Sequence, residues 1–163
     1  MKKKKLRIEL KPIDIFIEIT NILGVIVLIA TPLYFYNDLP DTIPAHFGLD
    51  GNIDKISDKD TIWYLPIVGV VNYALLLFLN RFPHIFNYPQ KVTDENRERL
   101  YQSATRMIRG LNFIIVYSFA YISYSTIEIA LGVKEKIEFW FLPIFISLLL
   151  MFIVYSVYKL MKK

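Results

Sequence analysis

The sequence predicts an all-α integral membrane protein with four spanning helices, and three observations support this fold class. Hydrophobic residues make up 55% of the 163 residues, charged residues make up 21%, and the mean hydropathy is +0.40. Four apolar segments reach the length of about 20 residues that a helix needs to cross a bilayer core. Charged residues fall mainly between these segments. We therefore expect a single membrane domain over residues 1–163, and neither a soluble globular enzyme nor a disordered chain.

The four predicted spans cover residues 13–36, 61–80, 108–128 and 139–158. The second and the fourth contain no charged residue. The first is too long for the apolar part of a cleavable signal peptide, and no small-residue cleavage site follows it. The alternative for these segments is a set of buried core helices in a soluble protein. Four such helices would leave too little polar chain to cover them, so the membrane interpretation is favoured.

The distribution of basic residues predicts the orientation of the chain. Lysine and arginine are concentrated in residues 1–11, in the predicted cytoplasmic loop 81–107 and in the last five residues. The predicted outer loop 37–60 instead holds six aspartates against two lysines. Because cytoplasmic segments carry the excess of lysine and arginine, we expect a multi-pass protein of the cell membrane with both termini cytoplasmic. Topology and contact with the anionic headgroups of the lipid bilayer explain the basic residues, so no nucleic-acid partner is predicted.

The cytoplasmic loop is expected to contain an amphipathic helix that leads into the third span. Thr93 is a suitable N-cap, and a helix from about Asp94 would place acidic side chains in its first turn. Apolar residues recur at helical spacing through this stretch, at Leu100, Ala104, Met107, Ile108 and Leu111.

The outer loop contains several residues that favour turns and an ordered structure. Pro40 and Pro44 stop any helix, while Gly48 and Gly51 permit tight turns. We expect residues 38–60 to form a compact cap over the outer ends of the helices. Its apolar side would pack on the bundle or sink into the headgroup region, and it consists of Ile43, Phe47, Leu49, Ile53 and Ile56. Its polar side would bring His46, Asp54 and Lys59 together, with Glu128 beneath them.

The same loop resembles a bacterial membrane domain of unknown function that forms the N-terminal part of SdpI-type immunity proteins and also occurs alone. The pattern is Leu-Pro-x-x-Ile-Pro-x-His-Phe, then Gly-x-x-Asp, then a lysine five residues later. Its matching positions are Leu39, Pro40, Ile43, Pro44, His46, Phe47, Gly51, Asp54 and Lys59. The resemblance extends from the first helix to the third and includes Asn87-Tyr88-Pro89. It implies a multi-pass membrane fold and an immunity or envelope-stress role.

Few residues offer catalytic or metal-binding chemistry. The chain has no cysteine, which excludes disulfides, thiolate metal sites and a cysteine nucleophile. The metal candidates are His46, Asp50 and Asp54. Asp50-x-Asn52-x-Asp54 resembles the start of a calcium loop, and one histidine with several carboxylates could alternatively hold zinc with one position open to water. The glycine and glutamate that complete such a loop are replaced by Lys55 and Thr61. The alternatives are that His46 stabilises the loop by hydrogen bonding and that Asp54 pairs with Lys59 or Lys55. No cofactor is predicted.

Two polar residues of the first two spans, Asn21 and Asn72, are expected to hydrogen-bond to each other between the helices.

The sequence favours a non-enzymatic membrane module whose outer loop recognises a peptide toxin or a membrane-protein partner. The candidate binding residues are His46, Gly51, Asp54, Lys59 and Glu128. The first alternative is an outward-facing metal-dependent or hydrolytic membrane enzyme that uses His46 and Asp54. A second alternative is an accessory subunit of a transporter. Homo-oligomerisation is left open.

Overall fold

The computed structural model describes residues 8–162 and consists mostly of helices. The four long helices are α1 (Pro12–Phe35), α2 (Tyr64–Leu79), α3 (Arg97–Ala130) and α4 (Phe141–Met161). With the short helical turns that flank α1 and α2, all four are long and apolar enough to cross a membrane. The prediction of four helices that are long and apolar enough to span a membrane is therefore confirmed. The lysine run at residues 2–5 and Arg7 lie outside the described residues.

The predicted outer loop is a β-hairpin, which corrects the all-α expectation. Strand β1 (Thr42–Phe47) pairs antiparallel with β2 (Ile53–Asp58) in a two-stranded sheet. The turn residues were recognised in the sequence, but the strands on either side of them were not. Each strand is only six residues long, and β1 contains Pro44, which normally argues against a strand. A two-stranded sheet tolerates this proline because both of its strands are edge strands.

The third helix is longer than the predicted third span because it includes the amphipathic segment. It has 34 residues, which corresponds to about 50 Å at 1.5 Å per residue and exceeds the bilayer core of about 30 Å. It begins at Arg97 and not near Asp94. The preceding turn is closed by Asn96, whose side chain accepts a hydrogen bond from the Thr93 N–H at 2.8 Å. How much of each helix lies in the membrane stays a prediction.

Helix α3 is the centre of the bundle, because it contacts each of the other three helices and also β1. It is the most buried of the four, and α4 is the least buried. The approach of α4 depends on Gly110 of α3, where an added Cβ would lie 2.1 Å from Cζ of Phe152. Small residues allow such close packing of helices in membranes. Because α4 is the least buried helix, much of it presents apolar side chains outward, including Leu148, Met151 and Val154.

Two ion pairs connect α1 to α3. The Arg106 guanidinium donates two hydrogen bonds to the buried Asp14 carboxylate, at 2.7 and 3.1 Å. One turn further along α1, Glu18 accepts from Nε of Arg109 at 3.1 Å and from the Tyr73 hydroxyl at 2.7 Å. These two ion pairs were not predicted from the sequence. The available signal was their spacing, four residues on α1 and three on α3, which places each pair on one helix face.

The predicted hydrogen bond between Asn21 and Asn72 is replaced by two bonds to α3. Asn21 donates to the backbone carbonyl of Arg109 at 3.1 Å, and Asn72 donates to the side chain of Asn112 at 3.5 Å. Both asparagines do link helices, as expected. The partner differs because both α1 and α2 contact α3 more extensively than they contact each other, and sequence alone did not specify this arrangement.

Both described chain ends lie at the same end of the bundle, which we call the terminal end. There Ile8 packs against a buried cluster that includes Tyr101 of α3 and Leu160 of α4. Gln90 of the α2–α3 connection donates to the Leu160 carbonyl. The hairpin lies at the opposite end, which we call the hairpin end. This arrangement follows directly from four helices that alternate in direction.

Candidate functional site

The base of the hairpin is packed on the ends of the helices. Ile43 of β1 is buried in a cluster with Leu39, Ile62 and Ile127, where Ile127 belongs to α3. Pro44 is also buried, and Phe47 is half-buried. The expected apolar side of the cap is therefore present only along β1. The other three predicted members, Leu49, Ile53 and Ile56, are exposed; Leu49 lies in the turn between the strands, and Ile53 and Ile56 lie on β2.

The tip of the hairpin is docked on the α3–α4 connection through backbone atoms. The Ile137 N–H donates to the Gly51 carbonyl at 3.1 Å. Gly51 has a φ of 81°, in the region that favours glycine. A Cβ at this position would lie 2.1 Å from the Ile137 carbonyl oxygen. Gly51 thus supplies both the turn and the space that lets the tip contact the connection.

His46 and Asp54 form a surface pair on the hairpin. Nδ1 of His46 lies 2.7 Å from Oδ1 of Asp54, and their side chains are 67% and 49% exposed. The register is irregular on both sides of His46, so that Ala45 in β1 and Asp54 in β2 have no directly paired residue. Such bulges redirect side chains next to functional sites. An exposed pair of this kind contributes about 0–1 kcal/mol to stability, so its position matters more than its energy.

The other two charged candidates, Lys59 and Glu128, are bound elsewhere. Nζ of Lys59 lies 5.2 Å from the ring centroid of Tyr36. Glu128 forms an ion pair with Lys134 at 2.7 Å. Among the described residues, Asp54 makes its ion pair with His46 and none with Lys59 or Lys55. The structure therefore brings together His46 and Asp54 as predicted, but gives Lys59 and Glu128 other partners.

Charged groups of the α3–α4 connection hold it against the end of α3. Nζ of Lys134 lies 2.7 Å from Glu128 and 2.9 Å from Glu138, and these carboxylates raise the pKa of Lys134. The Tyr121 hydroxyl also donates to Glu138. The bonds from Tyr121 and then Lys134 lower the pKa of Glu138 to about 2. The connection on which Gly51 docks is thus itself fixed.

A cavity of about 390 Å³ lies between the hairpin and the ends of α2, α3 and α4. Its walls are mainly apolar and include Phe47 of β1, Leu65 of α2, Ile122 of α3 and Phe141 of α4. Its polar lining includes His46, Thr126 and Glu138. This volume falls at the lower end of the usual range for ligand pockets, about 300–1,000 Å³. We call it the hairpin cavity.

The hairpin cavity as a whole was not predicted. Its roof residues His46 and Gly51 were candidates from the sequence, but its walls on α3 and α4 were not. The aromatic residues 139–141 are typical of a membrane interface, so their presence in the sequence did not indicate a cavity. Their role in a cavity depends on tertiary contacts between segments far apart in the chain.

The surroundings of the cavity are acidic. Residues 37–60 and 128–140 together contain nine carboxylates and four lysines. Asp50 at the hairpin tip accepts hydrogen bonds from the backbone and side chain of Asn52, which lowers its pKa. An apolar cavity within an acidic surface can bind an apolar group attached to a cationic one.

The three metal candidates do not meet in one place. Among residues 8–162, no group of three histidine, aspartate or glutamate side chains is arranged to hold a metal ion. Asp50 contacts Asn52 at the tip, while His46 and Asp54 contact each other along the strands. A metal site that involves His46, Asp50 or Asp54 therefore stays a prediction.

Comparisons with known proteins point to the same part of the chain. Residues 23–70 match a family model described as a domain of unknown function, DUF1648. The match covers the second half of α1, the entire hairpin and the start of α2. An uncharacterized protein of the archaeon Archaeoglobus fulgidus is 25% identical over 140 residues, which cover 77% of this chain and 76% of the relative. No solved structure matches the chain.

Proposed function

We propose that this chain is a non-enzymatic membrane module that binds a cationic amphipathic peptide in the hairpin cavity. The observation that carries the proposal is an apolar cavity roofed by an acidic hairpin. Apolar side chains of the peptide would enter between Phe47, Ile122 and Phe141. Burial of one leucine or phenylalanine side chain contributes about 1.5–3 kcal/mol. The surrounding carboxylates would attract the cationic residues and accelerate association.

The proposal places the hairpin end outside the cell and the terminal end in the cytoplasm. The excess of basic residues at the terminal end supports this orientation. A peptide that arrives from outside would then meet the acidic surface before it reaches the bilayer.

More specifically, we propose that the chain protects the cell against a membrane-active peptide. The resemblance of the hairpin pattern to the N-terminal domain of SdpI-type immunity proteins supports it. Capture of the peptide at the hairpin cavity would keep its apolar face out of the bilayer. This mechanism needs no catalytic group.

A protection assay in cells tests the proposed function. A strain that lacks the gene is complemented with the wild type, with Ile122→Trp, which fills the cavity, with Asp54→Ala, which removes the carboxylate bonded to His46, or with Ile144→Trp. Ile144 is exposed on α4 and does not line the cavity, so its replacement is the matched control. The strains are exposed to a panel of cationic amphipathic peptides at equal protein expression. We expect protection from the wild type and Ile144→Trp, and little from Ile122→Trp and Asp54→Ala. Equal sensitivity of all strains to every peptide would refute the immunity role.

The contact between His46 and Asp54 favours a second candidate, an outward-facing hydrolase. A carboxylate bonded to one ring nitrogen can orient a histidine as a general base. In this candidate His46 would take a proton from a water molecule that attacks a substrate in the cavity. His46→Gln would then abolish turnover, whereas peptide binding would persist. Elemental analysis of wild type and His46→Ala tests the metal-dependent form. Co-purification tests the remaining alternative, an accessory subunit of a transporter.

A further inference from the structure

A second groove of about 360 Å³ lies between α3 and α4 at the terminal end, far from the hairpin cavity. Four cationic side chains line it, together with three hydroxyl groups. Two apolar side chains, Met107 and Phe152, complete its lining. The cations are Arg99, Arg106, Lys159 and Lys162, and the hydroxyl groups belong to Ser103, Tyr155 and Ser156. We call this site the basic groove.

Most of the positive charge in the basic groove is not neutralised by carboxylates. Asp14 pairs with Arg106, but the described residues contain no ion pair to Arg99, Lys159 or Lys162. Nζ of Lys159 instead lies 5.5 Å from the ring centroid of Tyr155. No described acidic residue lines the groove. An anion bound here would therefore meet several cations without competition from a protein carboxylate.

The C-terminal end of α4 repels a nearby anion less than a helix end with free carbonyl groups would. The last carbonyl groups of a helix carry partial negative charge and would repel an anion. Two of these carbonyls already accept hydrogen bonds, because Arg99 donates to Lys159 O at 3.2 Å and Gln90 donates to Leu160 O. These bonds reduce the repulsion at the base of the groove.

The position of the groove indicates that the anion belongs to a lipid. Phe152 and Met107 are apolar, and the preceding turns of α4 expose Leu148, Met151 and Val154. The cations Lys159 and Lys162 follow in the last turn and just beyond it. Apolar residues followed by cations along one helix match the change from acyl chains to headgroups at a membrane surface.

We propose that the basic groove binds the phosphate of an anionic phospholipid, with an acyl chain along Phe152 and the exposed face of α4. The hydroxyls of Ser103 and Tyr155 would donate hydrogen bonds to phosphate oxygens, and the cations would supply charge. Basic pockets between spanning helices are suited to such headgroups. This site is independent of the hairpin cavity, so either proposal can fail alone.

The test uses the full chain purified in detergent and exposed to defined lipids. The probes are phosphatidylglycerol and phosphatidylcholine with identical acyl chains, and free glycerol 3-phosphate. Native mass spectrometry measures bound lipid. The groove variant Lys159→Gln/Lys162→Gln is compared with Arg81→Gln/Lys91→Gln, which removes two exposed charges from the α2–α3 connection outside the groove. Thermal unfolding confirms that both variants are folded.

The wild type and the control variant are expected to bind phosphatidylglycerol about tenfold or more tightly than phosphatidylcholine. The groove variant should lose most of this preference. An equal loss in both variants would overturn the proposal, because it would indicate attraction by net charge alone. Binding of glycerol 3-phosphate as tight as that of phosphatidylglycerol would also overturn it, since the acyl chain would then contribute nothing.

Discussion

Gly51 is the residue on which the docking of the hairpin depends most directly. Gly51→Ala would strain the turn, because φ is 81°, and would place Cβ against the Ile137 carbonyl oxygen. Gly132→Ala is the matched control, since Gly132 has a φ of 75° and open space around its Cβ position. Both changes should cost about 1–2 kcal/mol through backbone strain. Only Gly51→Ala should also accelerate amide exchange at Ile137 and through the hairpin. Similar exchange at Ile137 in both variants would show that the contact at the tip is dispensable.

Glu138 gives the α3–α4 connection a defined response to acid. Its pKa is lowered from 4.5 to about 2, first by the bond from Tyr121. Because its pKa is lowered in the folded state, ionised Glu138 stabilises the fold. This stabilisation is complete above about pH 4.5 and is lost as the pH falls towards 2. The ring centroids of Trp140 and Tyr121 lie 6.0 Å apart. The fluorescence of Trp140, measured in a Trp63→Phe background, can therefore report the protonation of Glu138. We expect a transition over this pH range that Glu138→Gln removes. A transition that persists in Glu138→Gln would assign it to another group.

The hairpin shows what sequence could and could not specify at the level of an element. Pro40, Pro44 and the Asp50-Gly51 turn excluded a helix and predicted an ordered loop, and the structure has a β-hairpin at this position. The strands were missed because their alternation is weak: β1 has a burial pattern of two adjacent buried residues, and β2 is mostly exposed. Packing on α3 and docking at Ile137 hold the hairpin, and neither contact has a local sequence signal.

The four helices were predictable because long apolar segments can be recognised in a sequence without knowledge of the tertiary structure. Their partners were not, as Asn21 and Asn72 illustrate. The contact between His46 and Asp54 was suggested by a family-like pattern and by proximity in one loop. The cavity beside it required the positions of Ile122 on α3 and Phe141 on α4, which follow the end of β1 by more than 70 residues.

The ion pair between α1 and α3 predicts a measurable coupling. Arg106→Gln would leave the buried Asp14 carboxylate without its partner, at a cost of about 2–3 kcal/mol in the free energy of unfolding. The double variant Asp14→Asn/Arg106→Gln should cost less than the sum of the two single variants, because no unpaired charge remains. Unfolding in mixed detergent micelles measures all four proteins. Additive costs would mean that the pair contributes no coupling energy.

At the scale of the whole molecule, the orientation in the membrane can be tested by labelling. The chain has no native cysteine, so single cysteines can be introduced without removing others. Lys55→Cys lies on the hairpin, and Lys91→Cys lies on the α2–α3 connection at the terminal end. Both positions are exposed. A membrane-impermeant maleimide should label Lys55→Cys in intact cells and Lys91→Cys only after permeabilisation. The reverse pattern would contradict the proposed orientation.

The proposed binding of a cationic peptide in the hairpin cavity can be measured with purified protein. The experiment follows the binding of a fluorescent amphipathic helix of lysine and leucine to the protein in zwitterionic nanodiscs. We predict saturable binding that weakens with salt and is reduced about tenfold or more by Ile122→Trp, a loss of about 1.4 kcal/mol or more. Ile144→Trp should leave the dissociation constant unchanged. Equal binding to all three proteins, or no binding above that of empty nanodiscs, would contradict the claim.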